Sequence, residues 1–265
     1  NLDFMYIRLR LSEIYDTTDC DDGWFDKKHI LLFGDLLQLP PVQDSAFIQL
    51  TVENIRKYLG SLSATNLWTL FDYDELTINM RQQGDESYRK LLSRIRVGLL
   101  TPSDYDILEK RKISFKGESF ETRLSELCDF INNLLSDPVC LLPTCHMCNE
   151  LNVAMLSRIT SKEIFLIAED TIDCISYMKK KLMDRIYVIR KQFSLCLSYD
   201  ITIHKSQGLS LQNAVMDLGN NVFSYGQAYV ALSRVTSLDG LHLINFDPSS
   251  VFASEKAIIE YNRLK

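Results

Sequence analysis

The side chains best equipped for chemistry stand in short polar strings that directly follow apolar runs. Residues 34–42 read Gly34-Asp35-Leu36-Leu37-Gln38-Leu39-Pro40-Pro41-Val42 and come straight after His29-Ile30-Leu31-Leu32-Phe33. That run predicts a strand buried on both faces, and open α/β sheets gather their ligands beyond the carboxyl ends of such strands. Asp35 offers a carboxylate there. Gln38 offers an amide able to bond a phosphate oxygen or a water, in a loop stiffened by its prolines. The plainer alternative is a turn that caps the strand, with Asp35 bonded to neighbouring backbone N–H groups. Arg81, in Leu76-Thr77-Ile78-Asn79-Met80-Arg81-Gln82, follows an expected short strand at 75–78 and precedes a helix. Its planar guanidinium would reach a phosphate at the same sheet edge. As an ordinary surface arginine it would pair with Asp85 or Glu86.

Asp200-Ile201-Thr202-Ile203-His204-Lys205-Ser206-Gln207-Gly208 carries a strand into a polar loop and ends at a glycine, where another backbone can approach closely. Hydroxyls, an imidazole and an ammonium are donors that suit a phosphodiester backbone and ignore base identity. His204 would otherwise be an orienting or core histidine. Lys205 is not a Walker lysine, because G-x-x-x-x-G-K-[ST] is absent. In Gly226-Gln227-Ala228-Tyr229-Val230-Ala231-Leu232-Ser233-Arg234-Val235, helical spacing sets Gln227, Val230 and Arg234 on one face. An arginine aimed across an interface from there is suited to neutralising a transferring phosphoryl group. The competing arrangement is an amphipathic helix whose arginine meets Asp239.

These strings need a frame. Apolar periodicity predicts helices at 2–15, 85–97, 104–111, 121–135, 149–159, 225–235 and 254–264. The second of these turns Tyr88, Leu91, Leu92 and Ile95 inward and stops at Gly98, and the fifth turns Leu151, Ala154, Met155 and Ile159 inward. Short apolar runs predict strands at 139–142, 163–168, 196–203, 214–218 and 241–246. Strands alternating with helices make this an α/β chain with a mostly parallel sheet. A length of 265 residues fits one large or two modest domains; the division is expected at 135–137, giving a first domain over 1–135 and a second over 136–265. The 46% apolar content excludes a wholly disordered chain, and no run reaches the roughly 18 apolar residues of a membrane-spanning helix. The opening Asn1-Leu2-Asp3-Phe4 shows no secretory or transit pattern and no Met, so the chain reads as a soluble interior piece of something longer. A net charge of −6 removes any global pull on nucleic acid but leaves room for a local basic groove. Seven cysteines, an odd number, favour free thiols in a reducing compartment.

Taken together, the four strings resemble, in order and wording, the PIF-one (petite integration frequency) DNA helicases, including the forms found in helitron-type transposons. Residues 34–42 look like the motif that couples nucleotide to DNA, and residues 76–82 resemble the next, whose arginine contacts the terminal phosphate. Leu142-Pro143-Thr144 with Asn152 is similar to the opening of the family's second RecA-like domain, with Cys145 where asparagine is usual. Residues 202–208 look like the motif that grips single-stranded DNA and touches nucleotide, and residues 229–234 resemble the last motif, with Arg234 in the arginine-finger position. The resemblance implies RecA-like parallel-sheet layers of a P-loop NTPase helicase core, the first incomplete, and ATP-driven 5′-to-3′ translocation and unwinding. It assigns Gln38, Arg81 and Arg234 to catalysis. Gly34, Asp35, Gln207 and Gly208 join them around ATP, and Thr144, Thr202, His204, Lys205 and Ser206 fall on the DNA backbone. The implied partners are single-stranded DNA and duplex junctions, in the nucleus or mitochondrion, in repair, recombination or telomere maintenance.

The departures are a missing Walker A loop, a missing Asp-Glu pair that would hold Mg²⁺, and Asp200 where a small apolar residue is usual. Only Cys174–Asp184 stands where the family places a barrel-like insertion. These features imply a C-terminal helicase piece without turnover of its own. The alternatives are a non-catalytic DNA-binding relic of a transposon-derived helicase, and an interaction domain that keeps the fold alone. Two other features are open. Cys145-His146-Met147-Cys148 has zinc-ligand spacing but no second ligand pair, so no metal is assigned to it. Lys179-Lys180-Lys181 with Arg185, Arg190 and Lys191 would follow a DNA backbone or form a solvated loop.

Overall fold

The computed structural model describes residues 2–15, 25, 28–40, 67–134, 138–161, 164, 166–173, 187–193, 195 and 198–265. The first helix, α1 (Leu2–Tyr15), meets a small aromatic cluster of Phe4, Phe25, Trp68 and Phe71. Helices α2 (Glu86–Ile95), α3 (Pro102–Glu109) and α4 (Phe120–Asn133) follow. Each begins at a side-chain cap, Asp85, Thr101 and Ser119, which accepts from a backbone N–H left free by the first turn. The remaining elements are β1 (Val139–Leu142), α5 (Cys145–Leu156), β2 (Glu169–Asp173), β3 (Tyr187–Lys191), β4 (Asp200–Thr202), β5 (Ala214–Leu218), α6 (Gln227–Leu232), β6 (Leu241–Phe246) and α7 (Glu255–Leu264).

The sheet order is β4-β1-β5-β6, all parallel; β2 and β3 form a separate antiparallel hairpin. Parallel strands covered on both faces are built from continuous apolar runs, and Val-Cys-Leu-Leu in β1 and Ala-Val-Met-Asp-Leu in β5 are such runs. One core packs Tyr88, Leu91, Leu92 and Ile95 of α2 and Leu108 of α3 with Leu141, Met216, Val230 and Leu243. The other packs Leu127, Cys128 and Ile131 of α4 with Cys140, Leu142, Leu151, Met155 and Val215. The α/β class and the parallel sheet are therefore as expected. Helices α2, α3 and α4 share the cores of the sheet that follows them.

Several elements differ from expectation. Residues 29–33 are not a strand: Leu31 is 80% and Phe33 83% exposed, and no described segment pairs with them. An apolar run becomes a buried strand only when a partner lies on each side. Residues 75–78 are likewise unpaired and Leu76 and Ile78 are exposed. In the expected strand at 163–168, residues 164 and 166–168 are coil, and the strand falls instead at Glu169–Asp173. The expected strand at 196–203 shortens to Asp200–Thr202, followed by a 3₁₀ turn, Ile203–Ser206. The helix expected at 149–159 starts earlier because Thr144 caps it, with Oγ1 accepting from Met147 N, and Ile159 lies exposed beyond its end. Pro41, Val42, the 135–137 division, Cys174–Asp184 and Lys179–Lys181 with Arg185 lie outside the described residues.

Candidate functional site

Helix α6 enters from Gly226, which adopts φ +72°. A Cβ there would stand 2.6 Å from the Leu37 carbonyl oxygen, so only glycine lets the 35–38 turn lie against the start of α6. Asp35 Oδ1 accepts from Leu37 N at 3.1 Å and from Arg96 Nη2 at 2.9 Å. The capping turn and a longer-range ion pair thus coexist. Burial works against the Arg96 charge, but bonding to Asp35 outweighs it and the guanidinium pKa is raised. Gln38 Nε2 reaches Asp35 Oδ2, and Gln207 Nε2 reaches Gln38 Oε1, each at 3.5 Å. Gly34 and Gly208 are exposed beside them, Gly208 at φ +88°.

Arg81 donates from Nε to Ser210 Oγ at 2.7 Å and from Nη1 to the Ser233 carbonyl at 2.9 Å. It pairs with neither Asp85 nor Glu86: Asp85 accepts from Tyr88 N and Leu238 N, and Glu86 pairs with Lys90. The neighbouring Gln82, 2% exposed, donates to the Ser233 and Val235 carbonyls and pins this segment to the end of α6. Arg234 is also 2% exposed; its Nε bonds the Val230 carbonyl at 2.8 Å and its Nη2 bonds Ser233 Oγ at 2.7 Å. The alternative pairing with Asp239 is not made, because Asp239 lies on Arg111 instead. Arg81 and Arg234 converge on Ser233, and among the described residues neither forms an ion pair. Burial, then Arg81, pulls the Arg234 pKa down to about 10, against Tyr229 and Asp35. Burial also lowers that of Arg81. Two partly desolvated cations thus share Ser233 without a described counter-charge bonded to either.

The second group stands at the carboxyl edge of the sheet. The register sets Leu142 beside Thr202, so Thr144 and His204 leave β1 and β4 at the same edge. Thr144 Oγ1 caps α5 and keeps its own hydroxyl proton to give. Lys205 is exposed, while Thr202 is 8% exposed. Ser206 is fully buried and its hydroxyl donates to the Ile203 carbonyl at 2.7 Å, which makes it a brace of the 3₁₀ turn. His204 stacks on Phe223, and burial lowers its pKa, so the ring is neutral at pH 7.

Arg96, Gly226 and Phe223 take part in these groups although the sequence reading assigned them no role. Arg96 reads as the tail of an amphipathic helix; the lone glycine before Gln227 was the one local sign of a close approach. Cys148 packs in a core, and burial, then Asp200, pushes its thiol up to about 12. Arg190 of the basic run is taken by Asp170 at 2.7 Å.

No known family model matches the chain. Over 80 residues, 30% of the chain, it is 48% identical to the ATP-dependent DNA helicase PIF1 of Danio rerio, and the match spans 12% of that protein. Over 75 residues it is 45% identical to the ATP-dependent DNA helicase Pif1 of Bdellovibrio bacteriovorus, 17% of that protein's length. The fold matches a crystal structure of Pif1 helicase from Bacteroides in complex with ADP-AlF3 and single-stranded DNA, with a TM-score of 0.66 at 20% identity, over 98% of this chain and 71% of that one. It matches Pif1 helicase from Candida albicans with a TM-score of 0.62 at 19% identity, over 98% and 73% of the two chains. The chain is thus similar to PIF1 helicases in sequence over a short stretch and in fold over nearly its whole length.

Proposed function

We propose that this chain, a relative of the PIF1 helicases, is the later-motif part of an ATP-dependent DNA helicase that moves 5′ to 3′ along a single strand. The phosphate loop and the carboxylates for Mg²⁺ belong outside it. The observation that carries the reading is the convergence of Arg81 and Arg234 on Ser233, without a carboxylate partner among the described residues. Such a pair fits the terminal phosphate of ATP, whose cleavage supplies the energy for movement. Gln38 senses that phosphate from the 35–38 turn, and the buried bonds of Gln82 hold Arg81 in place. Asp35, tied to Arg96, keeps the turn against Gly226. Thr144, His204 and Lys205 face the DNA backbone; Thr202 and Ser206 support them from within. The packing of α2 on the later sheet supports a boundary near Gly84 between the unit bearing Gln38 and the unit bearing Arg234. Nuclear or mitochondrial DNA, in repair, recombination or telomere maintenance, is the setting this reading implies.

The test is DNA-stimulated phosphate release by the 265-residue chain and by a version extended upstream. No turnover by the first and turnover by the second is expected, because phosphoryl transfer needs a lysine and a metal at the phosphates. Turnover by the shorter chain above its Arg234→Ala variant would overturn the assignment. Strand displacement on duplexes with a single 5′ or 3′ tail tests the direction.

A further inference from the structure

We propose that Phe223, backed by His204, is a stacking platform for one base of a single DNA strand; this rests on the DNA reading above and adds a contact to the base rather than the backbone. Phe223 lies beyond the carboxyl end of β5, the neighbour of β1, so it joins Thr144 and His204 at one edge of the sheet. Its ring lies nearly parallel to the imidazole, 16° between planes with centroids 5.6 Å apart. The side chain is nevertheless 63% exposed, and leaving a phenylalanine in water forgoes the gain of burying it.

The turn holding it is fixed from inside. Gln227 has no exposed surface; its Oε1 accepts from both Phe223 N at 3.0 Å and Ser224 N at 3.2 Å, and its Nε2 donates to the Pro143 carbonyl at 3.4 Å. One buried amide therefore ties the Phe223 turn to the residue before Thr144. A connection that only joined β5 to α6 would not need it. The result is a rigid aromatic face at a sheet edge that already carries Thr144, His204 and the exposed Lys205. Aromatic faces that stack bases beside backbone donors are how single strands are held without sequence preference. The neutral imidazole serves as the backing ring and retains one N–H for a sugar or phosphate oxygen.

The test uses the full chain and a short fluorescein-labelled oligothymidylate, with a second oligonucleotide carrying one 2-aminopurine. Wild-type protein should quench the aminopurine on binding, the signature of stacking. Phe223→Ala should bind about tenfold more weakly, lose the quenching and keep the same salt slope, since no phosphate contact is removed. Phe223→Trp should keep affinity and quenching, whereas Phe223→Leu, apolar but without a ring, should behave like Phe223→Ala. A thermal melt accompanies each variant, and if Phe223→Ala fails to fold, the Trp and Leu pair decides. Binding and quenching by Phe223→Leu equal to wild type would overturn the platform and leave the DNA reading standing. Failure of the wild-type chain to bind the strand would overturn both.

Discussion

Among the described residues, Arg234 bonds only neutral groups, the Val230 and Leu209 carbonyls and the Ser233 hydroxyl, while being 2% exposed. A buried cation without a counter-charge is expensive to keep, and an arriving phosphate removes that cost. In an upstream-extended protein, Arg234→Ala should lower ATP turnover by about 10³–10⁵ while the melting temperature stays close to wild type. Arg234→Lys should not restore turnover, because it keeps the charge but loses the planar fork. A folded Arg234→Ala variant retaining a tenth of the turnover would remove Arg234 from catalysis. Asp200 presents the opposite charge in a similar setting. It is 3% exposed, its Oδ2 has no hydrogen-bond partner among the described residues, and burial raises its pKa against the lowering effect of Cys148 and Asn152. A carboxyl raised in the folded state stabilises below its unfolded value of about 4 and loses that contribution as pH rises through the folded value. Asp200→Asn should therefore melt higher than wild type at pH 8, and the gap should close as pH falls towards about 4. A gap that widens on acidification would refute this.

At the scale of elements, α2 and α3 are joined by Arg94 Nε bonding Asp104 Oδ2 at 2.7 Å, with the Asp104 side chain 1% exposed. Arg94 holds the carboxyl down at about 2 against the cost of burial, helped by Thr101. A depressed carboxyl stabilises fully above its unfolded pKa and loses the contribution as pH falls through about 2. Asp104→Asn should cost about 1–3 kcal/mol by urea denaturation at pH 7, towards the lower figure because Arg94 is partly exposed. The difference should vanish near pH 2, and an undiminished one would point to packing instead of charge. The contact between the 35–38 turn and α6 depends on one glycine. Gly226→Ala meets both a left-handed φ and the Leu37 carbonyl, so it should destabilise by more than about 1 kcal/mol. In the extended protein it should also reduce turnover by separating Gln38 from Gln207.

For the whole molecule, a charge of −6 means that the proposed hold on DNA rests on a local set of donors working against a net repulsion. Binding should weaken linearly in log–log salt plots with a slope of about −0.7 per phosphate neutralised, and Lys205→Ala should make the slope shallower by about that amount. A salt-independent affinity would exclude backbone contacts at this edge.

The sequence by itself determined the covered parallel strands, because continuous apolar runs such as 139–142 and 214–218 suit a strand buried on both faces. It also determined α2, whose inward face and glycine stop are written in local spacing. Four separate polar strings stood out in the sequence, each with a plainer alternative beside it. Tertiary structure alone decided what each side chain does within them. It buried Ser206 as a brace, gave Asp35 to Arg96, and set two arginines on Ser233 instead of on the carboxylates nearest in sequence. It also left Leu31, Leu32 and Phe33 exposed, since an apolar run cannot state whether a partner strand lies beside it. The physical reason is range: propensity, capping and periodicity act over a few residues, whereas burial and charge pairing depend on groups that the fold brings from far along the chain.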